Sequence, residues 1–299
     1  MIKVANAPCS WGVLEFEAPA THAPAEQVLD EMAAAGYVGT ELGDWGFLPT
    51  DASALAGEVG RRQLALVGAF VPVALARAEA LGEGVDRAIR TAALLAGVAG
   101  GSPVIVLSDD NTSVPNRTER AGRIRADDGL TAAQWDGFAA RAEQVARAVR
   151  AATGLRTVFH HHCGGYVETP QEIDALMSRT DATLVGLCLD TGHLVYGGGN
   201  AVDTLSKYRD RIWHVHFKDC EPELAQQARA EGWDYHTAVR RGIFCELGKG
   251  MVPFARVLDA LRVEHYAGWI VVEQDVLPGL GTPAASAKRN REYLRQLGL

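Results

Sequence analysis

The chain has 299 residues, of which 47% are hydrophobic and 22% are charged, and its formal net charge is -8 at pH 7. This balance is typical of a globular protein, and no apolar run approaches the ~20 residues needed to cross a bilayer. The acidic charge argues against nucleic acid or an anionic membrane as the main partner. Because a strand-like run begins at once, from Met1 to Ala5, we expect no signal peptide and a cytoplasmic protein.

The cysteines are scattered along the chain, odd in number and without a CxxC pair; they are Cys9, Cys163, Cys188, Cys220 and Cys245. Such spacing predicts neither a disulfide framework nor a zinc ribbon.

One pattern repeats along the whole chain: a short apolar run, often β-branched, is followed by an amphipathic stretch rich in Ala and Leu. The runs predict eight strands: Lys3–Asn6, Gly39–Leu42, Leu64–Ala69, Pro103–Leu107, Thr157–His161, Leu184–Leu189, Ile212–Phe217 and Trp269–Val272. The stretches between them predict helices over 23–36, 84–100, 131–154, 169–179, 201–210, 252–263 and 283–298. Gly36 suits a helix C-terminus, and Thr169 with Pro170 is typical of a helix N-terminus.

Strand–helix alternation predicts parallel strands joined by right-handed crossovers. Eight such units in a chain of this length predict an α/β fold, a (β/α)8 TIM barrel that forms a single domain over residues 1–299. The competing fold is a doubly wound open sheet, but "NAPCSWGVLEF" follows the first strand where a GxGxxG turn would stand. The segments Ser108–Asp128 and Asp219–Lys249 are predicted to be long loops that cover the active face.

Polar residues cluster where the predicted strands end. In a TIM barrel, the catalytic residues lie on this face. Side chains alternate between the two faces of a strand, so residues two apart share a face. His160 and His162, His214 and His216, and Cys188 and Asp190 are such pairs. A convergent set of imidazoles and carboxylates predicts a site for a divalent metal, and mixed N/O donors suit Mn²⁺, Co²⁺, Zn²⁺ or Fe²⁺.

Each of these residues also has a purely structural interpretation. A lone histidine is often only hydrogen-bonded, and Asp190 could cap the next helix. Glu273 could pair with Arg289, Glu41 with Lys3, and Lys218 could be a solvated loop residue. Three aromatic residues are either core or pocket wall: Trp11, Trp45 and Phe70. The coincidence of four polar strand ends on one barrel face favours the functional interpretation.

The segments "GLCLDTGHLVYGGG", "DRIWHVHFKD" and "GWIVVEQD" resemble the xylose isomerase-like TIM-barrel superfamily of sugar isomerases and epimerases. Within it, "AGYVGTELGDWGFLP", "VFHHHCGGYVETPQEIDALM" and "GIFCELGKGMVPF" resemble the inosose dehydratases. The resemblance implies a divalent metal, Mn²⁺ or Co²⁺ first and Zn²⁺, Mg²⁺ or Fe²⁺ otherwise, and it implies that three of its ligands are Asp190, His216 and Glu273.

The chain departs from the superfamily pattern at the first metal ligand. A glutamate is expected there, and His160 stands in its place, with His162 as the alternative. His193 matches a histidine that contacts substrate in relatives, and Lys218 stands where an expected arginine is not evident. A metal site without two facing glutamates argues against a two-base epimerase and favours a reaction with an unlike acid and base, such as elimination.

The resemblance therefore implies a lyase that removes water from 2-keto-myo-inositol (inosose) or a related polyol ketone. Glu273 is the first candidate for the base, and His193, Lys218 or Glu41 is the candidate acid. We expect the substrate to contact Trp11, Glu41, His162, His193 and Lys218. Relatives commonly pair, so a homodimer is a further expectation.

Three other functions compete with the lyase. An aldose–ketose isomerase or 3-epimerase would use the same metal and barrel, and a non-catalytic barrel would only bind a sugar. The superfamily also contains metal-dependent AP endonucleases, but the acidic charge and the lack of a basic stripe argue against DNA as substrate.

Overall fold

The computed structural model describes residues 1–14, 23–98, 100–111, 113–277 and 279–299. Parallel strands close into an eight-stranded barrel in the order β1-β10-β7-β6-β5-β4-β3-β2, and β8 and β9 form a separate antiparallel pair. The strands are β1 (Lys3–Asn6), β2 (Gly39–Glu41), β3 (Ala65–Val73), β4 (Val104–Asp109), β5 (Arg156–His160), β6 (Val185–Asp190), β7 (Ile212–Phe217), β8 (Asp219–Cys220), β9 (Phe244–Cys245) and β10 (Trp269–Val272). The predicted TIM barrel is confirmed.

Helices alternate with the barrel strands. They are α1 (Ala25–Ala35), α2 (Ala52–Gly60), α3 (Leu81–Ala96), α4 (Pro115–Glu119), α5 (Ala132–Thr153), α6 (Pro170–Met177), α7 (Thr191–Tyr196), α8 (Ala201–Tyr208), α9 (Pro222–Glu231), α10 (Tyr235–Arg240), α11 (Phe254–Val263) and α12 (Pro283–Gln296). Short 3-10 turns occur at Pro8–Trp11, Ala78–Ala80 and Ala126–Asp128. In the part of the chain that is described, no helix has both the length and the apolarity to span a bilayer.

Local sequence signals account for several helix ends. Gly36 ends α1 in a left-handed conformation with φ of 93°. Thr169 caps α6 through a reciprocal capping box with Glu172, and Pro170 occupies the first turn. These termini are where the sequence predicts them.

The third strand and the two predicted loops differ most from the prediction. β3 runs on to Val73, through Pro72, which pairs in register with Ser108 of β4. A proline has no backbone N–H to donate to a neighbouring strand, so it is normally confined to strand ends. Pro72 is the second-last residue of β3, beyond the predicted end of the strand at Ala69. The two predicted loops have structure of their own: one starts within β4 and contains α4, and the other contains β8, α9, α10 and β9. Residue 112 of the first loop and residue 99 of a predicted helix lie outside the described residues.

Side-chain alternation divides each strand between two environments. Outward-facing residues pack on the helices: Phe159 contacts Phe138 of α5, and Phe217 contacts Phe254 of α11. Residues of the opposite parity face the barrel interior, where Val106 and Val158 pack together with Cys188. The same parity carries on to the strand ends, so the polar residues there converge on the axis of the barrel.

Candidate metal centre

Four side chains converge at the carboxyl ends of four strands that are neighbours around the barrel. They are His160 on β5, Asp190 on β6, His216 on β7 and Glu273 directly after β10. One potential ligand atom of each lies within 4.8 Å of those of the others, and all four residues are buried. The structure therefore brings together the residues that the sequence predicts as metal ligands, with His160 rather than His162 in the set.

The distances within this set are within a few tenths of an ångström of those expected around one divalent ion. Asp190 Oδ2 lies 3.6 Å from His160 Nε2 and 3.8 Å from His216 Nδ1, and His216 Nδ1 lies 3.2 Å from Glu273 Oε1. Two donors bound to one ion at about 2.1 Å are themselves about 3 to 3.5 Å apart. Asp190 Oδ2 and His216 Nδ1 are buried without a hydrogen-bond partner, whereas such atoms are nearly always satisfied. A cation between them would satisfy both.

The two carboxylate oxygens of Asp190 make different contacts, one with the backbone of α7 and one with the other candidate ligands. Oδ1 accepts a hydrogen bond of 2.8 Å from the backbone N of His193 and so caps α7. Oδ2 is left to face the other ligands. Although burial opposes ionisation, His160 and Lys218 hold the pKa of Asp190 below its usual value, so the carboxylate is charged.

A thiol also borders the centre. Cys188 has its sulfur within 4.8 Å of donor nitrogens of His160 and His216. Burial raises the pKa of this thiol to about 12, whereas Asp190 is already an anion. The carboxylate is therefore the better donor for a hard or borderline metal.

Glu41 reaches the centre from β2, across the barrel. Its Oε1 lies 2.8 Å from His214 Nε2 and 3.1 Å from His216 Nε2. Although burial opposes ionisation, His216 and His214 hold the pKa of Glu41 below its usual range. The alternative pairing with Lys3 is wrong, since the Lys3 ammonium lies over the Trp269 ring.

Lys218 is buried, with 3% of its surface exposed, so its interpretation as a solvated loop residue is wrong. Its Nζ lies 3.1 Å from Glu273 Oε2, 3.2 Å from Asp275 Oδ1 and 3.4 Å from His193 Nε2. Burial alone would lower its pKa, but Asp275 and Glu273 raise the pKa of Lys218 well above its usual value. The alternative partner of Glu273, Arg289, pairs with Glu246 instead.

Gly192 in the "DTGH" segment allows this packing. A Cβ at this position would lie 2.6 Å from Lys218 Cγ and 2.8 Å from Lys218 Cβ. Any side chain there would push the ammonium away from Glu273.

A cleft of about 630 Å³, counting the space open to solvent at its mouth, is lined by two of the four candidate ligands, His160 and Glu273. This is within the usual ~300–1,000 Å³ for small-molecule sites. Its walls include the predicted residues Glu41, Phe70, His160, His162, Lys218 and Glu273, and also Cys9, Asp44, Tyr235 and Asp275. Asp275 follows Glu273 by two residues, a spacing that strand parity could have revealed; Tyr235 had no local signal.

Trp11, a predicted substrate contact, and Trp45, for which core and pocket wall were both open, lie outside the cleft. Trp11 is buried in the main core, and its Nε1 donates 2.7 Å to Glu31 Oε2 of α1. It does not line the cleft, because the 3-10 turn after β1 presents Cys9 there instead. Trp45 is 41% exposed, with the Arg90 guanidinium over its ring.

The remaining histidines of the run and of α7 support the cleft. His162 lines it, with its Nδ1 2.7 Å from Cys163 O and its Nε2 3.3 Å from the Tyr235 hydroxyl. His193 lies behind His162, at 3.9 Å between ring centroids, and touches Lys218 rather than the cleft surface. Burial lowers the pKa of both imidazoles well below the usual value, so both are neutral. His161 faces away, and its Nε2 accepts from the backbone N of Asp190.

The family model described as "Xylose isomerase-like TIM barrel" matches residues 29–297. The chain belongs to this family. A protein named inosose dehydratase from Geobacillus kaustophilus (strain HTA426) is 32% identical over 295 residues, which are 99% of this chain and 94% of that relative.

Solved structures show the same fold. A structure of L-ribulose 3-epimerase matches with a TM-score of 0.70 at 19% identity, covering 99% of this chain and 94% of that one. The probable 3-DHS dehydratase involved in petrobactin synthesis from Bacillus anthracis matches with a TM-score of 0.68 at 14% identity, covering 98% of each chain. The predicted family is confirmed, and since its named relatives are enzymes, so is this protein; a non-catalytic barrel is set aside.

Proposed function

We propose that this enzyme is a metal-dependent dehydratase that eliminates water from 2-keto-myo-inositol or a closely related polyol ketone. The relative named inosose dehydratase, 32% identical over nearly the whole chain, supports the substrate class. The observation that carries the reaction type is the pairing of unlike groups at the cleft, the Glu273 carboxylate and the Lys218 ammonium, 3.1 Å apart.

The donor set His160, Asp190, His216 and Glu273 would hold a divalent metal, Mn²⁺ or Co²⁺ first, with Zn²⁺, Mg²⁺ or Fe²⁺ as alternatives. When bound, the metal supplies Lewis acidity that stabilises negative charge on the ketone oxygen while the neighbouring C–H bond breaks.

Elimination needs one proton removed and one supplied. Glu273 accepts the proton from the carbon next to the ketone, and the C–H electron pair becomes part of the new C=C bond. Lys218 donates a proton to the hydroxyl on the next carbon, whose C–O bond breaks to release water. The proton count closes, and the Lys218–Glu273 contact gives a short path by which the pair returns to its starting state.

The three candidates for the acid differ in what they touch. Lys218 lines the cleft and holds a proton. His193 is one layer behind, in contact with the Lys218 ammonium, and Glu41 is held by two histidines. We therefore assign the acid to Lys218, a positioning role to His193 and Asp275, and a wall position to His162.

The rival function is isomerisation or 3-epimerisation on a sugar. Two-base epimerisation needs similar acceptors on opposite faces of one carbon. Here the first ligand position, where the family resemblance leads us to expect a second glutamate, holds the imidazole of His160, whose Nε2 faces Asp190. Unlike groups around the ion favour loss of a leaving group over exchange of a proton at one carbon.

A direct assay tests the proposal. Protein stripped with a chelator and reloaded with Mn²⁺ or Co²⁺ is given 2-keto-myo-inositol, and the dehydrated diketone is followed by its ultraviolet absorbance. We expect metal-dependent turnover that falls by at least ~10²-fold in Glu273→Gln. The matched control is Glu246→Gln, because that carboxylate binds Arg289 and Lys249 and touches no histidine.

Measured metal content separates loss of the base from loss of the ion in Glu273→Gln. Full turnover of a metal-loaded Glu273→Gln variant would remove Glu273 from the mechanism. If deuterium from solvent enters unchanged or epimerised substrate and no water is lost, the protein is an isomerase or epimerase instead.

A further inference from the structure

One carboxylate oxygen at the floor of the cleft lies within hydrogen-bond distance of two imidazoles. Glu41 Oε1 is 2.8 Å from His214 Nε2 and 3.1 Å from His216 Nε2, and all three residues are buried. The two histidines lie on the same face of β7, and Glu41 comes from β2, which is separated from β7 by β1 and β10. The contact therefore crosses the barrel interior, where solvent does not compete with it.

An ionised carboxylate can only accept hydrogen bonds, so both histidines must donate from Nε2. A histidine that binds a metal must be neutral, and His216 with its one proton held on Nε2 has its lone pair on Nδ1. That atom is the one that faces Asp190 Oδ2 and Glu273 Oε1 and has no hydrogen-bond partner. The bond to Glu41 thus leaves free the nitrogen that the ligand set needs.

Glu41, His214 and His216 are also close enough to be considered as ligands of a second ion. Their separations argue against it. The contacts of 2.8 Å and 3.1 Å are ordinary hydrogen-bond lengths, and the shorter is below the ~3 to 3.5 Å that separates two donors on one ion. A single oxygen also serves both contacts, as an acceptor of two N–H groups does.

The backbone leaves room for this arrangement. β2 has a register shift between Thr40 and Glu41, which moves Glu41 opposite Gly68 of β3. A Cβ on Gly68 would lie 3.0 Å from Glu41 Oε1. The absence of a side chain at Gly68 leaves room for the carboxylate next to β3, from where it reaches the histidines.

We propose that Glu41 and His214 are positioning residues of the metal centre: Glu41 fixes His216 as the Nε2–H tautomer, and His214 fixes the Glu41 carboxylate. This differs from a role for Glu41 in proton transfer to substrate. The inference rests on the metal centre of the proposed function but not on the dehydration.

Metal affinity is the direct readout. Partners that orient a ligand histidine typically contribute 10- to 100-fold in affinity. We expect Glu41→Gln, which keeps the shape and removes the charge, to weaken Mn²⁺ binding by about 10- to 100-fold in calorimetry. The stoichiometry should stay at one ion per chain, and the visible spectrum of the Co²⁺ form should change because the ligand field of His216 changes. Glu246→Gln is again the charge-matched control.

His214 has its own comparison. His214→Leu removes the second N–H donor and should weaken Mn²⁺ binding, and His214→Gln, which restores an N–H donor, should recover most of it. Equal weakening in both variants would mean that His214 only fills space, which would overturn its role as a positioning residue.

Two outcomes would overturn the inference as a whole: unchanged affinity and Co²⁺ spectrum in Glu41→Gln, or two ions per wild-type chain that fall to one in Glu41→Gln. If Glu41→Gln does not fold, ¹⁵N spectra of histidine-labelled wild-type protein loaded with Zn²⁺ decide, because His216 must show protonated Nε2. Intact metal binding without turnover on the polyol ketone would refute the dehydratase and leave this inference standing.

Discussion

Asp190 gives the sharpest test of the site, because its cap and its ligand atom can be separated. Oδ1 caps α7 through the backbone N of His193, and Oδ2 faces His160 and His216. Asp190→Asn keeps an oxygen for the cap but replaces the ligand oxygen with an amide NH₂, which cannot bind a cation. Asp190→Ala removes both.

The magnitudes follow from these contacts. Both substitutions remove the same buried charge, so its contribution cancels when the two metal-free variants are compared. What remains is the cap, and we expect the metal-free Asn variant to be about 0.5–2 kcal/mol more stable to unfolding than the Ala variant. With Mn²⁺ at about 100 times its dissociation constant, wild type should gain about 2.7 kcal/mol, and both variants little.

Guanidinium chloride unfolding, with chelator and with Mn²⁺, measures all of these differences. If the Asn variant gains as much from Mn²⁺ as wild type does, Asp190 is a cap and no ligand. If the Asn and Ala variants are equally stable without metal, the hydrogen bond from the His193 backbone N to Asp190 Oδ1 does not stabilise the fold.

Three further predictions concern residues outside the candidate ligand set. Lys218→Met should lower kcat by about 10²–10⁴-fold, and Mn²⁺ affinity is measured alongside. Lys218→Arg should be as slow, because a planar guanidinium does not fit where Gly192 packs against the aliphatic part of the lysine side chain. Burial raises the pKa of Glu168 to about 7, so the folded protein keeps a proton that the unfolded chain releases above about 4.5. Deprotonation of Glu168 should therefore lower the free energy of unfolding by about 3 kcal/mol as pH rises from 4.5 to 8. A Glu168→Gln variant whose pH dependence of unfolding matches that of wild type would contradict this. Trp11→Phe should cost about 1 kcal/mol of stability through the lost bond to Glu31 and leave KM within about twofold, whereas a tenfold rise in KM would put Trp11 in contact with substrate.

The barrel could be predicted from the sequence because its strands are marked by apolar runs that recur at a regular spacing. Three predicted strands, Lys3–Asn6, Ile212–Phe217 and Trp269–Val272, have the observed bounds. Pattern alone missed the extension of β3, since Pro72 carries a signal for a strand end that the register with β4 overrides.

The convergence of His160, Asp190, His216 and Glu273 could be predicted because strand parity and the family resemblance point to the same residues. Contacts between distant segments could not. Tyr235 lies on α10 within a long connection, and nothing in its neighbourhood shows that its hydroxyl meets His162, 73 residues away. The buried state of Lys218 also depends on partners from another strand end, Glu273 and Asp275, and a charge next to a strand end gives no sign of them.

The four candidate ligands lie on β5, β6 and β7 and directly after β10, whereas another wall of the cleft is built from residues on or near β1, β2 and β3, such as Cys9, Asp44 and Phe70. The candidate metal ligands and this wall of the cleft therefore belong to different halves of the chain. A chimera that takes its first four strand–helix units from a relative with another substrate should inherit the donor's selectivity and keep the reaction of this enzyme. Glu41 and Gly68, which leaves room for the Glu41 carboxylate, lie in that half, and the splice would have to preserve both.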